Sequence, residues 1–310
     1  MIAFIFPGQG AQTVGMGKAL ADAFPICRQT FDEADAAVGD AISTLCFEGP
    51  ADQLTLTENT QPAILTVSVA AHRLLASRGL LPAFVAGHSL GEYSANVAAG
   101  TIGFADAVRT VRRRGRYMQE AVPAGVGAMS AILGLDADKV AQVCAEAAQG
   151  EVVSPANMNA PGQIVIAGAK AAVARAGDLA KQLGCKRVVP LPVSAPFHCA
   201  LMKPAEERLA PELRALTAQA PRVPVVANVD AQPKRTAAEA IEALVRQVSM
   251  PVRWEDCVKR LASEGVTAYV ELGPGSVLSG LVRKVHREAT VLNVEAPEGL
   301  AAVEALFNRS

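Results

Sequence analysis

Residues 81–93 read Leu81-Pro82-Ala83-Phe84-Val85-Ala86-Gly87-His88-Ser89-Leu90-Gly91-Glu92-Tyr93, and they are the strongest indication of the fold. Its short apolar run predicts a buried strand, and the residues after Gly91 predict a helix. Glycine on both sides of a serine is typical of a nucleophile elbow, a sharp strand-to-helix turn that exposes the serine side chain. A glycine-rich turn whose serine only caps the helix has the same pattern. The motif therefore leaves two interpretations, and residues elsewhere in the chain must decide between them.

The bulk composition narrows the class of protein. The chain has 310 residues, 51% of them hydrophobic, and a formal net charge of -1. This length predicts one large domain or a large domain with a small one, and the charge gives no reason to expect nucleic acid as a partner. The six cysteines are dispersed, without a C-x-x-C pair or zinc-ligand spacing, which predicts a reducing compartment and no metal site. The N-terminus lacks the pattern of a signal peptide and no apolar run is long enough to span a membrane, so we expect a cytoplasmic protein.

The first part of the chain predicts strands that alternate with helices. Residues 2–6 predict a buried strand, and the loop Gly8-Gln9-Gly10 follows it. This loop matches neither a P-loop nor G-x-G-x-x-G, so we reject nucleotide binding and expect its backbone N–H groups to face a site at the strand ends. Thr60-Gln61-Pro62 predicts the start of a helix, with proline at an early position. The alternation continues after residue 200 and favours a largely parallel sheet covered on both faces.

Residues 126–193 have a different pattern from the rest of the chain. Their predicted order is β-α-β-β-α-β, with a hairpin turn at Ala160-Pro161-Gly162. This is the ferredoxin-like unit. We therefore predict a small subdomain at 126–193, inserted into a large subdomain made of residues 1–125 and 194–310.

A basic helix predicted from Phe104 contains one arginine on its apolar side. Ala107, Val111, Arg114 and Met118 follow helical spacing and form one stripe. A cation in an apolar stripe is costly unless it meets an anion. We expect Arg114 to bind an anionic ligand or an internal carboxylate, and favour the ligand.

A nucleophilic serine needs a base, and His198 is the best candidate. It lies in the loop Pro196-Phe197-His198-Cys199 directly after a predicted strand, where catalytic residues are common, although a histidine packed at a domain junction has the same pattern. His88 is expected to point away from Ser89. No acid follows His198 in a suitable position, so a backbone carbonyl or an amide is expected to orient the imidazole. For an oxyanion, the elbow offers the N–H of Leu90 and the loop around Gln9 offers a second donor.

Several of these motifs, in this order, resemble the malonyl-CoA:acyl carrier protein transacylase family over residues 2–290. The matching stretches are Phe6-Pro7-Gly8-Gln9-Gly10-Ala11-Gln12, Gly87-His88-Ser89-Leu90-Gly91-Glu92-Tyr93-Ser94, Arg114-Gly115, and Pro196-Phe197-His198-Cys199-Ala200-Leu201-Met202. The resemblance implies an α/β-hydrolase-like large subdomain carrying a ferredoxin-like small one, with the active site in the cleft between them. It also assigns roles: nucleophile Ser89, base His198, oxyanion-hole amides of Gln9 and Leu90, malonyl-binding Arg114, and Gln247, whose main-chain carbonyl orients His198. Phe197 resembles the malonyl-selective pattern of related domains and should crowd an α-methyl branch.

The activity implied is a ping-pong transfer of malonyl from malonyl-CoA, through a malonyl-serine, to the phosphopantetheine thiol of acyl carrier protein. Malonyl-CoA is a substrate, and no cofactor is implied. We expect a monomer that binds no nucleic acid and no membrane, and exposed arginines such as Arg113 and Arg116 are candidates to dock the acidic carrier. Three alternatives remain: a malonyl transferase acting in trans for a polyketide assembly line, a serine thioesterase or esterase, and a non-catalytic acyl-CoA-binding protein.

Overall fold

The computed structural model describes residues 1–123, 125–193 and 195–309. Its strands are β1 (Ile2–Phe6), β2 (Phe84–Gly87), β3 (Gly127–Leu133), β4 (Val153–Ala160), β5 (Gln163–Ala169), β6 (Arg187–Pro190), β7 (Val225–Val226), β8 (Pro233–Lys234), β9 (Ala268–Leu272) and β10 (Thr290–Val294). The helices of the first half are α1 (Lys18–Ala23), α2 (Pro25–Val38), α3 (Ile42–Glu48), α4 (Ala51–Thr55), α5 (Thr57–Ala76), α6 (Gly91–Ala98) and α7 (Phe104–Glu120). Those of the second half are α8 (Ala137–Ala148), α9 (Lys170–Gln182), α10 (Lys203–Arg214), α11 (Ala237–Gln247), α12 (Trp254–Ser263), α13 (Val277–Val285) and α14 (Leu300–Phe307).

The main sheet has six strands in the order β10-β9-β1-β2-β7-β8. All neighbours pair in parallel except β7 and β8, which pair antiparallel. Every residue of β1, β2 and β9 is buried, as expected for strands covered on both faces. The carboxyl ends of β1 and β2 lie side by side, because Phe6 pairs with Gly87. This pairing brings the loop after β1 next to the elbow after β2.

A second sheet contains β4-β5-β3-β6, and all its pairs are antiparallel. With α8 and α9 the chain order is β-α-β-β-α-β, and the two helices pack on the sheet through a separate apolar cluster that includes Ile132, Val140 and Val173. The predicted fold class, α/β with a mostly parallel sheet and a separate ferredoxin-like unit, is confirmed. The residue Ser194, where the large subdomain was predicted to resume, lies outside the described residues, and the exact subdomain division stays a prediction.

The helix predicted to start at Thr60 begins three residues earlier, and that prediction was wrong. Pro62 lies inside α5, which runs from Thr57. The first turn of α5 packs closely on α7: the backbone of Thr57 and Glu58 lies so near Gly115 that a Cβ there would overlap it. Tertiary packing therefore extends the helix beyond the point that the proline signal suggests. The longer α5 also places Gln61 within the helix, facing α7.

Candidate active site

Ser89 occupies a strained turn between β2 and α6. Its φ is +50°, in the left-handed region that few side-chain-bearing residues adopt. The turn is possible because three glycines allow close backbone approach: a Cβ at Gly87 would overlap Gly91, one at Gly91 would overlap Phe6 O, and one at Gly8 would overlap the carbonyl of His88. These contacts explain why the sequence needs glycine on both sides of the serine. The geometry is that of a nucleophile elbow.

His198 meets the serine from the loop that follows the small sheet. Its Nε2 lies 2.7 Å from Ser89 Oγ, and its Nδ1 lies 3.0 Å from the main-chain oxygen of Gln247. Since a carbonyl can only accept, Nδ1 carries the proton and Nε2 is free to accept one from the serine. Burial and the nearby charge of Arg114 lower the pKa of His198 to about 3. The imidazole is therefore neutral at physiological pH, as a general base must be.

Arg114 also contacts the hydroxyl of Ser89. It is 1% exposed, and its Nη2 donates to Ser89 Oγ at 3.1 Å. Its other acceptors are amide oxygens, Gln61 Oε1 at 2.7 Å and Gln247 Oε1 at 2.9 Å, and the guanidinium lies over the Tyr93 ring with 5.4 Å to the centroid. Burial lowers the pKa of Arg114, while Tyr93 and Glu92 oppose that shift. No ion pair joins Arg114 to a carboxylate among the described residues, so its charge remains available to a ligand.

A polar network of buried side chains supports the elbow, and most of its members cannot be identified from the sequence. Asn228 accepts from the Ser89 N–H at 2.8 Å and donates to the Gly87 carbonyl at 2.7 Å. The side-chain amide of Gln247 donates to the Ser89 carbonyl at 2.8 Å and to Glu92 Oε2 at 2.8 Å. The family resemblance assigns a role only to the main-chain carbonyl of Gln247. Asn228 and Gln61 belong to no recognisable catalytic motif, and Glu92, although it stands in the elbow motif, gives no local sign of the distant residues that it contacts.

A cavity of about 120 Å³ opens at this point. Ser89, His198, Arg114, Gln9, Leu90 and Phe197 all line it, together with Gln61, His88, Met118, Met129, Asn157, Leu191 and Val193. The backbone N–H groups of Gln9 and Leu90 have no acceptor among the described residues, as an oxyanion hole requires before substrate binds. Their role as oxyanion donors stays a prediction. Gln247 does not line the cavity, but it contacts His198, Arg114 and Ser89, which do.

The remaining histidines do not join the Ser89–His198 pair. His88 Nε2 lies 2.8 Å from Asn159 Oδ1, and its ring packs near Trp254, so it ties the elbow to β4. His72 lies on α5 against Phe4 and Phe6, and burial lowers its pKa to about 4. Within the described part of the chain, no group of three His, Cys, Asp or Glu side chains is placed to hold a metal ion. No helix there is both long enough and apolar enough to cross a bilayer.

A strained serine, a neutral histidine and two free backbone donors in one cavity define a serine acyltransferase or hydrolase. The model of the acyl transferase domain family matches residues 3–301 and selects the first class. The Malonyl CoA-acyl carrier protein transacylase of Escherichia coli K12 is 53% identical over 301 residues, 97% of each chain, and that of Bacillus subtilis is 51% identical over 298 residues, 96% of this chain and 94% of the other. The chain belongs to the malonyl CoA-acyl carrier protein transacylase family.

Solved structures agree with this assignment. An acyl carrier protein S-malonyltransferase from Vibrio cholerae superposes with a TM-score of 0.96 at 50% identity, covering 97% of this chain and 99% of the other. A malonyl-transacylase in complex with its type II polyketide synthase acyl-carrier protein superposes with a TM-score of 0.95 at 48% identity, covering 97% and 98%. Both solved structures share the architecture of this chain over nearly its full length.

Proposed function

We propose that this protein moves a malonyl group from malonyl-CoA to the phosphopantetheine thiol of an acyl carrier protein in fatty acid synthesis. The observation that carries the proposal is Arg114, a buried cation whose Nη2 lies 3.1 Å from the Oγ of Ser89. When a short acyl group that ends in a carboxylate is bound to Ser89, its carboxylate lies within reach of this guanidinium. A neutral acyl group leaves the buried cation without its anion, which is costly.

In the first half-reaction, Ser89 Oγ attacks the thioester carbonyl of malonyl-CoA while His198 Nε2 takes its proton. The tetrahedral oxyanion accepts hydrogen bonds from the N–H groups of Leu90 and Gln9. Preorganised donors of this kind stabilise an oxyanion far better than water does. The C–S bond then breaks, and the CoA thiol leaves with the proton from His198. The second half-reaction reverses these steps: the carrier thiol gives its proton to His198, attacks malonyl-Ser89, and Ser89 regains a proton.

Phe197 adds selectivity against a branched acyl group. It is buried, directly precedes His198 and lines the cavity. Its ring would crowd an α-methyl group, although a single methyl is worth only about 1–3 kcal/mol.

The proposal extends to the organisation of the chain. Residues 1–125 and 194–310 form the large subdomain and residues 126–193 the small one, which is supported by the two separate sheets and by a cavity lined by Asn157 as well as Ser89. The enzyme acts as a cytoplasmic monomer without a cofactor. Light scattering after size exclusion tests the oligomeric state, and unchanged transfer after dialysis against a chelator tests the absence of a metal requirement.

The direct test is labelling with [14C]malonyl-CoA followed by addition of acyl carrier protein. We expect the wild-type protein to acquire label and then lose it to the carrier, and Ser89→Ala to acquire none. A labelled Ser89→Ala protein would exclude the nucleophile. Release of free malonate without transfer would favour the hydrolase alternative.

A second carrier deserves the same assay, because one solved relative is a malonyl-transacylase bound to a type II polyketide synthase carrier. Transfer rates to a fatty acid carrier and to a polyketide carrier, measured side by side, discriminate the two acceptors. A faster rate with the polyketide carrier would replace the fatty acid assignment.

A further inference from the structure

The carboxyl group of Glu92 is buried directly behind the elbow. The side chain is 1% exposed and belongs to the first turn of α6, three residues after Ser89. Its Oε2 accepts from the Asn228 N–H at 2.9 Å and from Gln247 Nε2 at 2.8 Å. Its Oε1 has no hydrogen-bond partner among the described residues. A buried carboxyl without a directly paired cation is costly, so its two hydrogen-bond partners carry much of its stabilisation.

Both partners of Glu92 hold the reacting groups. Gln247 accepts from Arg114 through its side-chain oxygen, at 2.9 Å, and from His198 through its main-chain oxygen, at 3.0 Å. Asn228 accepts from the Ser89 N–H at 2.8 Å. The carboxyl group of Glu92 is therefore connected to Ser89, His198 and Arg114 through one intervening hydrogen-bonded residue, Gln247 or Asn228.

We propose that Glu92 is a positioning residue for acylation, and that its ionised carboxylate orders Gln247 and Asn228 and balances the charge of Arg114. The inference rests on the proposed malonyl transfer. Hydrogen bonds to an ionised acceptor are roughly twice as strong as neutral ones, so protonation of Glu92 weakens both of its contacts. Protonation also removes a negative charge that supports Arg114, since Glu92 raises the pKa of Arg114 against the effect of burial.

Burial, more than the surrounding charges, brings the pKa of Glu92 close to neutral pH. Burial raises its pKa to about 7; its hydrogen bonds and Arg114 on α7 lower it, and Asp230 after β7 raises it. Tyr93 on α6 and Cys257 on α12 also interact with the charge of Glu92. Burial raises the pKa of the Tyr93 phenol and of the Cys257 thiol, so both stay neutral. His198, with a pKa lowered to about 3, stays neutral across the same range. Loss of the Glu92 charge is thus expected as pH falls through about 7.

The wild-type protein provides the first test. The second-order rate constant for acylation by malonyl-CoA is measured by rapid quench from pH 5.5 to 9, without carrier protein. The carboxyl of the substrate is already ionised over this range, because ordinary carboxyl groups have pKa values near 4. We expect the rate constant to fall by roughly 10-fold from the high-pH to the low-pH plateau, because protonation weakens the hydrogen bonds to Glu92. A profile without an inflection between pH 6 and 8 would overturn the inference.

Glu92→Gln tests the assignment of that inflection. The variant keeps the size of the side chain but carries no charge, so we expect its acylation rate to be independent of pH between 5.5 and 9 and close to the wild-type low-pH plateau. An inflection that persists in Glu92→Gln would assign it to another group and refute the proposal. If Glu92→Gln does not fold, Glu92→Asp replaces it: this variant keeps an ionisable carboxyl but shortens the side chain, so the midpoint of the inflection should shift, and an unchanged midpoint would refute the assignment.

Glu271 provides a matched control. It is also fully buried, accepts from the Leu278 N–H at 3.0 Å and the Ser279 N–H at 2.7 Å, and burial raises its pKa. It does not line the cavity. Glu271→Gln is expected to keep the wild-type pH profile, and loss of the inflection in this variant would overturn the proposal. Absence of any malonyl label on wild-type Ser89 would instead defeat the proposed function.

Discussion

Replacement of Arg114 by alanine tests the substrate assignment most directly. The guanidinium is 1% exposed and lies one hydrogen bond from Ser89 Oγ, at 3.1 Å. In a malonyl group one methylene separates the reacting carbonyl from the carboxylate, so the carboxylate reaches the guanidinium when the carbonyl reaches Ser89. Two hydrogen bonds between charged groups contribute about 1.5–3 kcal/mol each. Arg114→Ala should therefore lower kcat/KM for malonyl-CoA by roughly 10²-fold to 10⁴-fold.

The assay compares acylation of Ser89 by malonyl-CoA and by acetyl-CoA. Acetyl-CoA has no carboxylate to pair with Arg114, so the variant should lose malonyl transfer and gain acetyl transfer relative to it. Arg113→Ala is the matched control, because Arg113 lies on the same helix but is exposed and paired with Glu212 at 2.9 Å. An exposed pair is worth about 1 kcal/mol or less, and acylation should change little. A folded Arg114→Ala protein with an unchanged malonyl-to-acetyl ratio would refute the carboxylate role.

Three further substitutions test the support of the site. Asn228→Ala should lower the free energy of unfolding by about 2–4 kcal/mol, because the Ser89 N–H and the Gly87 carbonyl each lose a partner; urea denaturation measures the loss, and an unchanged midpoint would contradict it. Gly91→Ala should destabilise by at least about 1–3 kcal/mol, since its Cβ would overlap Phe6 O; a wild-type melting temperature would contradict this. Phe197→Ala should raise methylmalonyl relative to malonyl acylation by roughly 10-fold; competition between the two CoA esters measures the ratio, and no change would remove Phe197 from selectivity.

The elbow could be predicted from sequence because its chemistry is local. Steric overlap at Gly87 and Gly91 forces glycine at fixed distances from Ser89, so the constraint is visible as a motif. Arg114 was visible for a related reason: helical spacing places it among apolar residues, and the structure buries it there. His198 cannot be identified from a local motif alone. It is predicted because a nucleophilic serine needs a base nearby.

The network behind the elbow could not be predicted, because it depends on contacts between distant segments. Glu92 and Asn228 are separated by 136 residues and Gln61 and Arg114 by 53, and nothing in their local sequence indicates the contact. The start of α5 was misplaced for the same reason, since packing of Gly115 on Thr57 outweighs the local proline signal.

The acceptors around Arg114 explain how a buried cation can stay ready for substrate. Gln61 and Gln247 present neutral amide oxygens, which orient the guanidinium without neutralising it. A carboxylate in direct contact would form a tight pair, and the malonyl group would then have to displace an anion already in place. Placing the negative charge of Glu92 behind Gln247 avoids that competition, because it lies beyond the amide and outside the cavity. The site thus keeps a counter-charge for the free protein while Arg114, which lines the cavity, can still pair with the incoming carboxylate.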